Sequence, residues 1–136
     1  MSLTLEVYTE TTHSFEVSVS PQYQPEHSEP LNGSWIWSYR VRIRNGSSEP
    51  ARLLSRRWEI TDRRGREQVV QGPGVVGQTP RIEPGDTFEY HSGCPLTTPS
   101  GSMRGTYLMQ HDDGDTFYIA VPAFALEVPG ERRTLN

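Results

Sequence analysis

The sequence predicts an all-β fold, and three observations lead to this prediction. Apolar and polar residues alternate with a period of two along much of the chain, as in strands that bury one face and expose the other. No segment keeps a helical period of apolar residues over a useful length. Turn-forming residues interrupt the alternating segments at short intervals. Together these features indicate an immunoglobulin- or fibronectin type III-like β-sandwich of about seven or eight antiparallel strands, with a small closed barrel as the alternative.

The first third of the chain contains three predicted strands. Residues 3–7 form a first short strand with Leu or Val at alternate positions, and residues 15–19 form a second. Residues 35–43 form the clearest strand, because Trp, Tyr, Val and Ile occupy the odd positions while Ser and Arg fill most of the even ones. Residues 21–34 contain three prolines and are expected to form a long polar loop.

The remaining strands are predicted from shorter patterns. Leu54, Trp58 and Ile60 mark a fourth strand, which the turn at 62–65 joins to a returning strand at 67–71. Another strand is expected around Phe88 and Tyr90. A final hairpin joins residues 103–110 to 117–121 through an Asp-Asp-Gly-Asp turn, because Asp-Gly between alternating segments is typical of a hairpin.

The chain is expected to be one cytoplasmic domain. At 136 residues it is long enough to bury a core without a metal or a disulfide. Its single cysteine and the absence of a recognisable signal peptide favour a reducing compartment, and no apolar segment is long enough to cross a membrane. The β-sandwich is predicted to occupy residues 1–128, followed by a flexible C-terminal tail at 129–136.

The charges are unevenly distributed along the chain. All thirteen basic residues are arginine, and nine of them lie in residues 40–66 with only three acids. Arginine binds oxyanions with two parallel hydrogen bonds, so this region could recognise phosphate or an acidic partner. A solvated strand face balanced by neighbouring acids is the simpler interpretation.

A glycine-rich segment at residues 72–77 has the spacing of a dinucleotide-binding loop. Prolines at 80 and 84 prevent the helix that such a loop requires, so nucleotide binding of that kind is not expected. A tight connection between strands is the favoured interpretation. The alternative is an anion site in which the glycines let backbone amides approach a phosphate and arginines supply the charge. Its candidate residues are Gly72, Gly74, Gly77, Arg56, Arg57 and Arg81.

Other candidate residues give little support for catalysis or for the binding of a metal or a nucleic acid. The histidines at 13, 27, 91 and 111 lack the short spacings of metal ligands. Cys94 and His91 are a thiol and an imidazole close in sequence, but with no recognisable oxyanion hole or third group, and a thiol in a loop is the simpler interpretation. The alternation in residues 35–44 places the aromatic side chains opposite the arginines, which argues against a nucleic-acid stacking surface. No catalytic residue, metal or cofactor is therefore predicted.

Several segments taken together resemble the ApaG family, also called CorD in bacteria. The resemblance extends from about residue 15 to residue 127 and is most specific in residues 72–107, where Gly72, Gly74 and Gly77 match the glycine motif of the family. The segments that carry it are 54–62, 72–77, 84–90, 92–96, 98–107 and 117–126.

This resemblance implies a fibronectin type III-like sandwich in a small bacterial protein without an established catalytic activity. It also implies an association with cobalt resistance and magnesium efflux, and a role in binding a protein partner, since similar domains occur in eukaryotic F-box proteins and in a protein that interacts with DNA polymerase delta. The sequence departs from the usual pattern at Trp35 and Trp37 and in having arginine wherever lysine is expected. The sequence does not distinguish a monomer from a homodimer.

Overall fold

The computed structural model describes residues 6–130, and nine β-strands account for most of them. Two one-turn 3-10 helices, Pro25–His27 and Pro30–Asn32, lie between the second and third strands. This architecture confirms the predicted all-β fold. The strands are β1 (Tyr8–Thr12), β2 (Phe15–Tyr23), β3 (Trp35–Asn45), β4 (Ala51–Asp62), β5 (Glu67–Pro73), β6 (Arg81–Ile82), β7 (Thr87–Leu96), β8 (Ser100–His111) and β9 (Thr116–Glu127).

The first sheet has the order β1-β2-β3-β7, and all its neighbours are antiparallel. Its strands follow the predicted alternation closely. The odd positions of β3 from Trp37 to Ile43 are buried, while Arg40, Arg42 and Arg44 are exposed on the outer face. The core therefore lies on the aromatic side of β3, as the sequence predicts.

The second sheet has the order β5-β4-β8-β9, and the two-residue β6 adds to β4 beyond the end of β5. Two register shifts interrupt it, one at Leu53–Ser55 in β4 and one at Met103–Gly105 in β8. Such a bulge changes which residues face inward. Consequently Leu53 and Trp58 both face the core, although residues five apart in a regular strand point to opposite faces, and Leu54 is only half-buried.

The two sheets pack face to face as a sandwich, which excludes the closed barrel. One side of the sandwich is closed because β1 lies against β9: the Tyr8 and Phe124 ring centroids are 6.1 Å apart, and the Ala120 amide donates a hydrogen bond of 3.1 Å to Thr12 Oγ1. On the opposite side, the edge strands β5 and β7 make few contacts with each other in the part of the chain that the structure describes. That side is therefore the open side of the sandwich.

The core contains a cross-sheet hydrogen bond between two tyrosines. Tyr90 in β7 and Tyr107 in β8 bring their hydroxyl oxygens to 2.5 Å, and both side chains are buried. Burial raises the pKa of both phenols above its ordinary value. The bond joins the sheets near their open side. The other buried apolar residues are Phe15, Val17, Val19, Trp37, Tyr39, Val41, Ile43, Ala51, Leu53, Trp58, Val75, Ile82, Cys94, Leu96, Met103, Met109, Ile119, Val121, Phe124 and Leu126.

Two local predictions differ from the structure, and a third is tested only in part. Among the described residues the first strand is Tyr8–Thr12, and Val7 is exposed and precedes it; residues 3–5 of the predicted strand lie outside the described residues. The predicted loop at 21–34 is shorter than expected, because β2 continues through Pro21 to Tyr23. β1 begins at Tyr8, opposite Val19, so in the described residues no β1 residue pairs with Pro21 and its missing amide hydrogen is tolerated on that side. Cys94 is not in a loop: it lies in β7 opposite Trp37 and is buried.

The predicted flexible tail at 129–136 falls mainly outside the described residues, so it stays a prediction. Within residues 6–130, no helix has the length and apolar character needed to cross a membrane.

Candidate functional site

A shallow groove of about 330 Å³ lies on the outer face of the β5-β4-β8-β9 sheet, and we refer to it as the sheet groove. Its floor comes from outward-facing residues of adjacent strands: Ser55 lies opposite Leu108, and Leu108 lies opposite Tyr118. The lining carries two arginines and no carboxylate. The lining residues are Ser55, Arg56, Arg57, Gln71, Gly72, Thr106, Leu108 and Tyr118.

Exposed apolar side chains lie on the same sheet face as the groove. Tyr118, in the terminal strand β9, is 63% exposed and lines the groove. Val69 is 48% exposed and lies two residues before Gln71, which places both on the same face of β5. Tyr118 and Val69 are two of the five large apolar side chains that the described residues expose, so this sheet face carries apolar surface as well as charge. Val76, in the turn that follows β5, is a third and is 51% exposed.

Arg57 supplies positive charge at the groove, and part of that charge is already compensated. Its guanidinium forms an ion pair with Glu59. Glu59 also accepts hydrogen bonds of 3.0 and 3.1 Å from Arg104. The hydrogen bonds from Arg104 and then Arg57 hold the pKa of Glu59 below its ordinary value. Glu59 is therefore charged at neutral pH, and two arginines share one carboxylate beside the groove.

Arg56 has a mainly structural position. Its Nη1 donates to the carbonyl oxygens of Pro73 at 3.0 Å and Gly74 at 2.9 Å. A Cβ added to Gly72 would lie 3.2 Å from the same nitrogen, so the absence of a side chain there lets the guanidinium pass close to β5. Arg56 thus fixes the segment after β5 to the end of the groove.

The glycine segment forms a tight turn, which we call the glycine turn (residues 74–78). Val75 and Gln78 exchange two backbone hydrogen bonds of 2.8 Å, and the Gly74 amide donates to the Leu54 carbonyl. Val76 and Gly77, between them, both have positive φ, as a type I′ turn requires. Three amides of the segment are therefore used within the protein and do not face a ligand.

Arg81 lies apart from the other predicted anion-binding residues. It belongs to β6 and pairs with Glu83 and with Asp112, whose Oδ2 is 2.6 Å from its Nη2. The hydrogen bond from Arg81 lowers the pKa of Asp112. Because β6 pairs with the first residues of β4, Arg81 is several residues along the sheet from Arg56. Its charge is neutralised locally rather than directed to the groove.

The Cys94 thiol and the His91 imidazole do not form a nucleophile–base pair. Residues three apart in a strand point to opposite faces, so His91 is exposed while Cys94 faces the core. Burial raises the pKa of the Cys94 thiol to about 11, which keeps it protonated at neutral pH. Among residues 6–130, no group of three or more His, Cys, Asp or Glu side chains is placed to hold a metal ion.

The structure thus brings together only part of the predicted site. Arg56, Arg57 and Gly72 line one groove, whereas Gly74 and Gly77 are in the adjoining turn and are not among its lining residues. The predicted set did not include Thr106, Leu108 and Tyr118. The alternation gave a signal for Tyr118, because a strand that turns Phe117 and Ile119 toward the core points Tyr118 outward.

The fold and this surface define a class of protein: a single β-sandwich domain with a partly apolar, arginine-containing groove on one sheet face. The chain belongs to the ApaG domain family, whose model matches residues 25–111.

Comparison with known proteins places the chain among bacterial ApaG proteins. It is 51% identical to Protein ApaG of Brucella anthropi over 130 residues, covering 96% of this chain and all of the relative. Protein ApaG of Sinorhizobium fredii is 50% identical over the same coverage. The crystal structure of an ApaA protein from Bordetella pertussis is similar, with a TM-score of 0.84 and 48% identity over 88% of this chain and 98% of the other. These similarities confirm the fold and the family.

Proposed function

We propose that this ApaG-domain protein is a protein-interaction module that binds its partner through the outer face of the β5-β4-β8-β9 sheet. One observation carries the proposal: Tyr118 is 63% exposed in a groove that two arginines also line, and Val69 is exposed on the same sheet face. Exposed aromatic and arginine side chains supply much of the affinity at protein interfaces. The outer face of a sheet does not need aromatic residues to hold the sandwich together. An exposed tyrosine beside Leu108 on that face therefore favours an interface.

The same proposal assigns no catalytic step to the chain. It is supported by the separation of Cys94 from His91 and by the raised pKa of the thiol. The polar groups around the sheet groove are hydroxyls, an amide and arginines, which suit hydrogen bonding to a partner. None of them is positioned as an activated nucleophile with a base.

Site-specific photocrosslinking tests the proposal. A photoreactive benzoylphenylalanine replaces Tyr118 in one variant and His91, exposed on the outer face of the opposite sheet, in a matched control. In the native bacterium we expect a discrete crosslinked product with a protein from position 118 and none from position 91. Equal products from both positions, or none from 118, would exclude this face as the interface.

A second candidate function is the binding of a small anion such as pyrophosphate or a nucleotide. It is favoured by Arg56, Arg57 and Gly72 lining one groove without a carboxylate. A nuclear magnetic resonance titration with pyrophosphate and nucleotides tests it. The amides of Gly72 and Thr106 should shift; unchanged amide signals in the groove at high ligand concentration would reject this candidate.

For divalent cations we propose an indirect role, in which the protein affects cobalt resistance or magnesium efflux through a partner. The support is that the carboxylate of Asp112 is paired with Arg81 and that His111 Nδ1 lies 3.0 Å from the Pro50 carbonyl oxygen. Calorimetric titration with cobalt and with magnesium checks this proposal. Measurable heat of specific binding by either ion would overturn it.

A further inference from the structure

The hairpin between β4 and β5, which we call the arginine turn (residues 62–66), is held by several side-chain hydrogen bonds. Asp62 accepts hydrogen bonds from the amides of Arg64 at 2.9 Å and Arg66 at 3.0 Å, and from the Arg66 guanidinium at 2.8 Å. The Arg63 amide donates to Oγ1 of Thr98 at 3.1 Å. Because Thr98 is buried and donates to the Ser100 carbonyl, the turn is fixed to the connection between β7 and β8.

This turn presents two arginines that have no acidic partner among the described residues. Arg63 and Arg64 are exposed, and no carboxylate of residues 6–130 lies within ion-pair distance of either guanidinium. By contrast, Arg42, Arg57 and Arg81 are each paired with a carboxylate. Fixing two uncompensated cations side by side lowers the entropy cost of binding an anionic group.

A second groove, the turn groove, adjoins the arginine turn. It has a volume of about 260 Å³, and Ile60, Pro95 and Leu96 give it apolar surface. Arg66 connects the groove to the turn because its Nη2 donates to Thr97 Oγ1 at 3.2 Å. Asp62 is held by Arg66, which leaves Glu67 as the one acid of the lining without an ion pair among the described residues. The other lining residues are Gln68 and Thr97.

From this combination we infer that the arginine turn and the turn groove bind an acidic peptide segment of another protein, with an apolar residue of that segment seated on Ile60 and Leu96. The acidic side chains contact Arg63 and Arg64. The arginine turn carries Arg63, Arg64 and Arg66 against Asp62, so it is a local positive surface on a chain whose net charge is −4. An acidic ligand is attracted to this surface rather than to the rest of the chain. The turn groove has no aromatic lining residue on which a base could stack, which favours a peptide over a nucleic acid.

This inference rests on the proposed role in protein interaction but concerns a surface separate from the sheet groove. Fluorescence anisotropy at low ionic strength tests it with a labelled peptide, acetyl-Asp-Glu-Leu-Asp-Glu-amide. The double variant R63Q/R64Q should bind about tenfold more weakly. The matched control R40Q/R44Q removes the same charge from the outer face of the other sheet and should bind like the original chain. Arg40 and Arg44 are likewise exposed and have no carboxylate partner in residues 6–130. Circular dichroism and urea unfolding confirm that both variants are folded.

Two further measurements separate peptide recognition from general attraction between charges. A peptide with serine in place of leucine should bind roughly fivefold more weakly, because the apolar contact is lost. Labelled oligothymidine should bind less tightly than the peptide. Absence of peptide binding, an equal loss in both double variants, no effect of the serine replacement, or tighter binding of oligothymidine would each overturn the inference. A crosslink from position 118 would still support the proposed function in any of these cases.

Discussion

The two turns at the ends of β5 use their polar groups in opposite ways. In the glycine turn, the amides of Gly74, Val75 and Gln78 donate hydrogen bonds within the protein. The carbonyl oxygens of residues 73 and 74 accept hydrogen bonds from the Arg56 guanidinium. In the arginine turn, one carboxylate fixes the backbone while two guanidiniums remain exposed. The glycine-rich segment looks more like a ligand site in sequence, but most of its polar groups are bonded within the protein. The arginine turn, by contrast, leaves two charged groups exposed.

The largest expected effect that distinguishes the turns comes from Gly74→Ala. Gly74 has a φ of +60°, and an added Cβ would lie 2.2 Å from the Gln78 carbonyl oxygen. We expect a loss of about 3 kcal/mol in the free energy of unfolding, measured with urea. Gly65→Ala in the arginine turn is the control: its φ is +81°, but nothing lies within 4 Å of the added atom. A loss of about 1 kcal/mol is expected there, and equal losses would contradict the comparison.

The next effect in size is that of Asp62→Asn. The amide side chain loses its charge, so it bonds more weakly to Arg64 and Arg66, and the urea midpoint at neutral pH should fall. Burial alone would raise the pKa of Asp62, but the hydrogen bonds from Arg66 and Arg64 outweigh it and lower the pKa below its ordinary value.

The direction of the pH dependence of Asp62 follows from this lowered pKa. A carboxyl group whose pKa is lowered by folding stabilises the folded state at pH values above its ordinary pKa of about 4. This contribution to stability is lost as the pH falls through the pKa of the group in the folded state. The difference in midpoint between the original chain and Asp62→Asn should therefore be largest near neutral pH and narrow below about pH 4. Glu67→Gln, in the same hairpin but without an ion pair among the described residues, is the control and should leave the midpoint unchanged. A pH-independent difference would contradict the assignment.

A smaller effect is expected for Arg56→Gln, which removes the guanidinium that fixes the glycine turn. Two carbonyl acceptors lose a charged donor, and the free energy of unfolding should fall by roughly 1–2 kcal/mol. Hydrogen exchange at the Gly74 amide should accelerate more than at the amides of the arginine turn. Uniform acceleration across both turns would show that Arg56 does not act locally.

The smallest effect, and the one of opposite sign, is that of Val76→Asn. A β-branched residue with a φ of +42° is strained, whereas asparagine readily occupies the first central position of a type I′ turn. The melting temperature should rise, by an amount equivalent to about 1 kcal/mol in the free energy of unfolding. If Val76 contributes to the interface, the same variant should also weaken partner binding. A lower melting temperature would contradict the strain assigned to this position.

Local patterns in the sequence predicted most of the fold. The alternation in residues 15–19 and 35–43 requires only that each strand bury one face, and both strands were confirmed. The bulge at Leu53–Ser55 could not be predicted in this way, because it arises from the register between β4 and β8. Cys94 was predicted to lie in a loop because Ser-Gly-Cys-Pro resembles a turn. Among the described residues β7 is an edge strand that pairs only with β3, so Pro95, which has no amide hydrogen, can lie in it and the strand continues to Leu96.

The candidate site was predicted less well than the fold. Arg56, Arg57 and Gly72 could be grouped because a hairpin brings adjacent strands together. Arg81 follows the glycine turn closely in sequence, but β6 returns to the first residues of β4, and Asp112 neutralises it there. Tyr118 reaches the groove through pairings across β8 and β9 that no local pattern specifies. A site assembled from several strands therefore depends on the topology of the sheet.

The contact between β1 and β9 has a consequence for how such a domain can be used. Because Tyr8 lies against Phe124, the chain enters and leaves the sandwich at neighbouring points, on the side away from β5 and β7. A unit whose entry and exit points are close together can be inserted into a surface loop of a larger polypeptide without distorting either one. The sheet groove and the arginine turn would stay uncovered in such an arrangement, so the surfaces that we propose for binding would be accessible both in a free-standing protein and in a segment of a longer one.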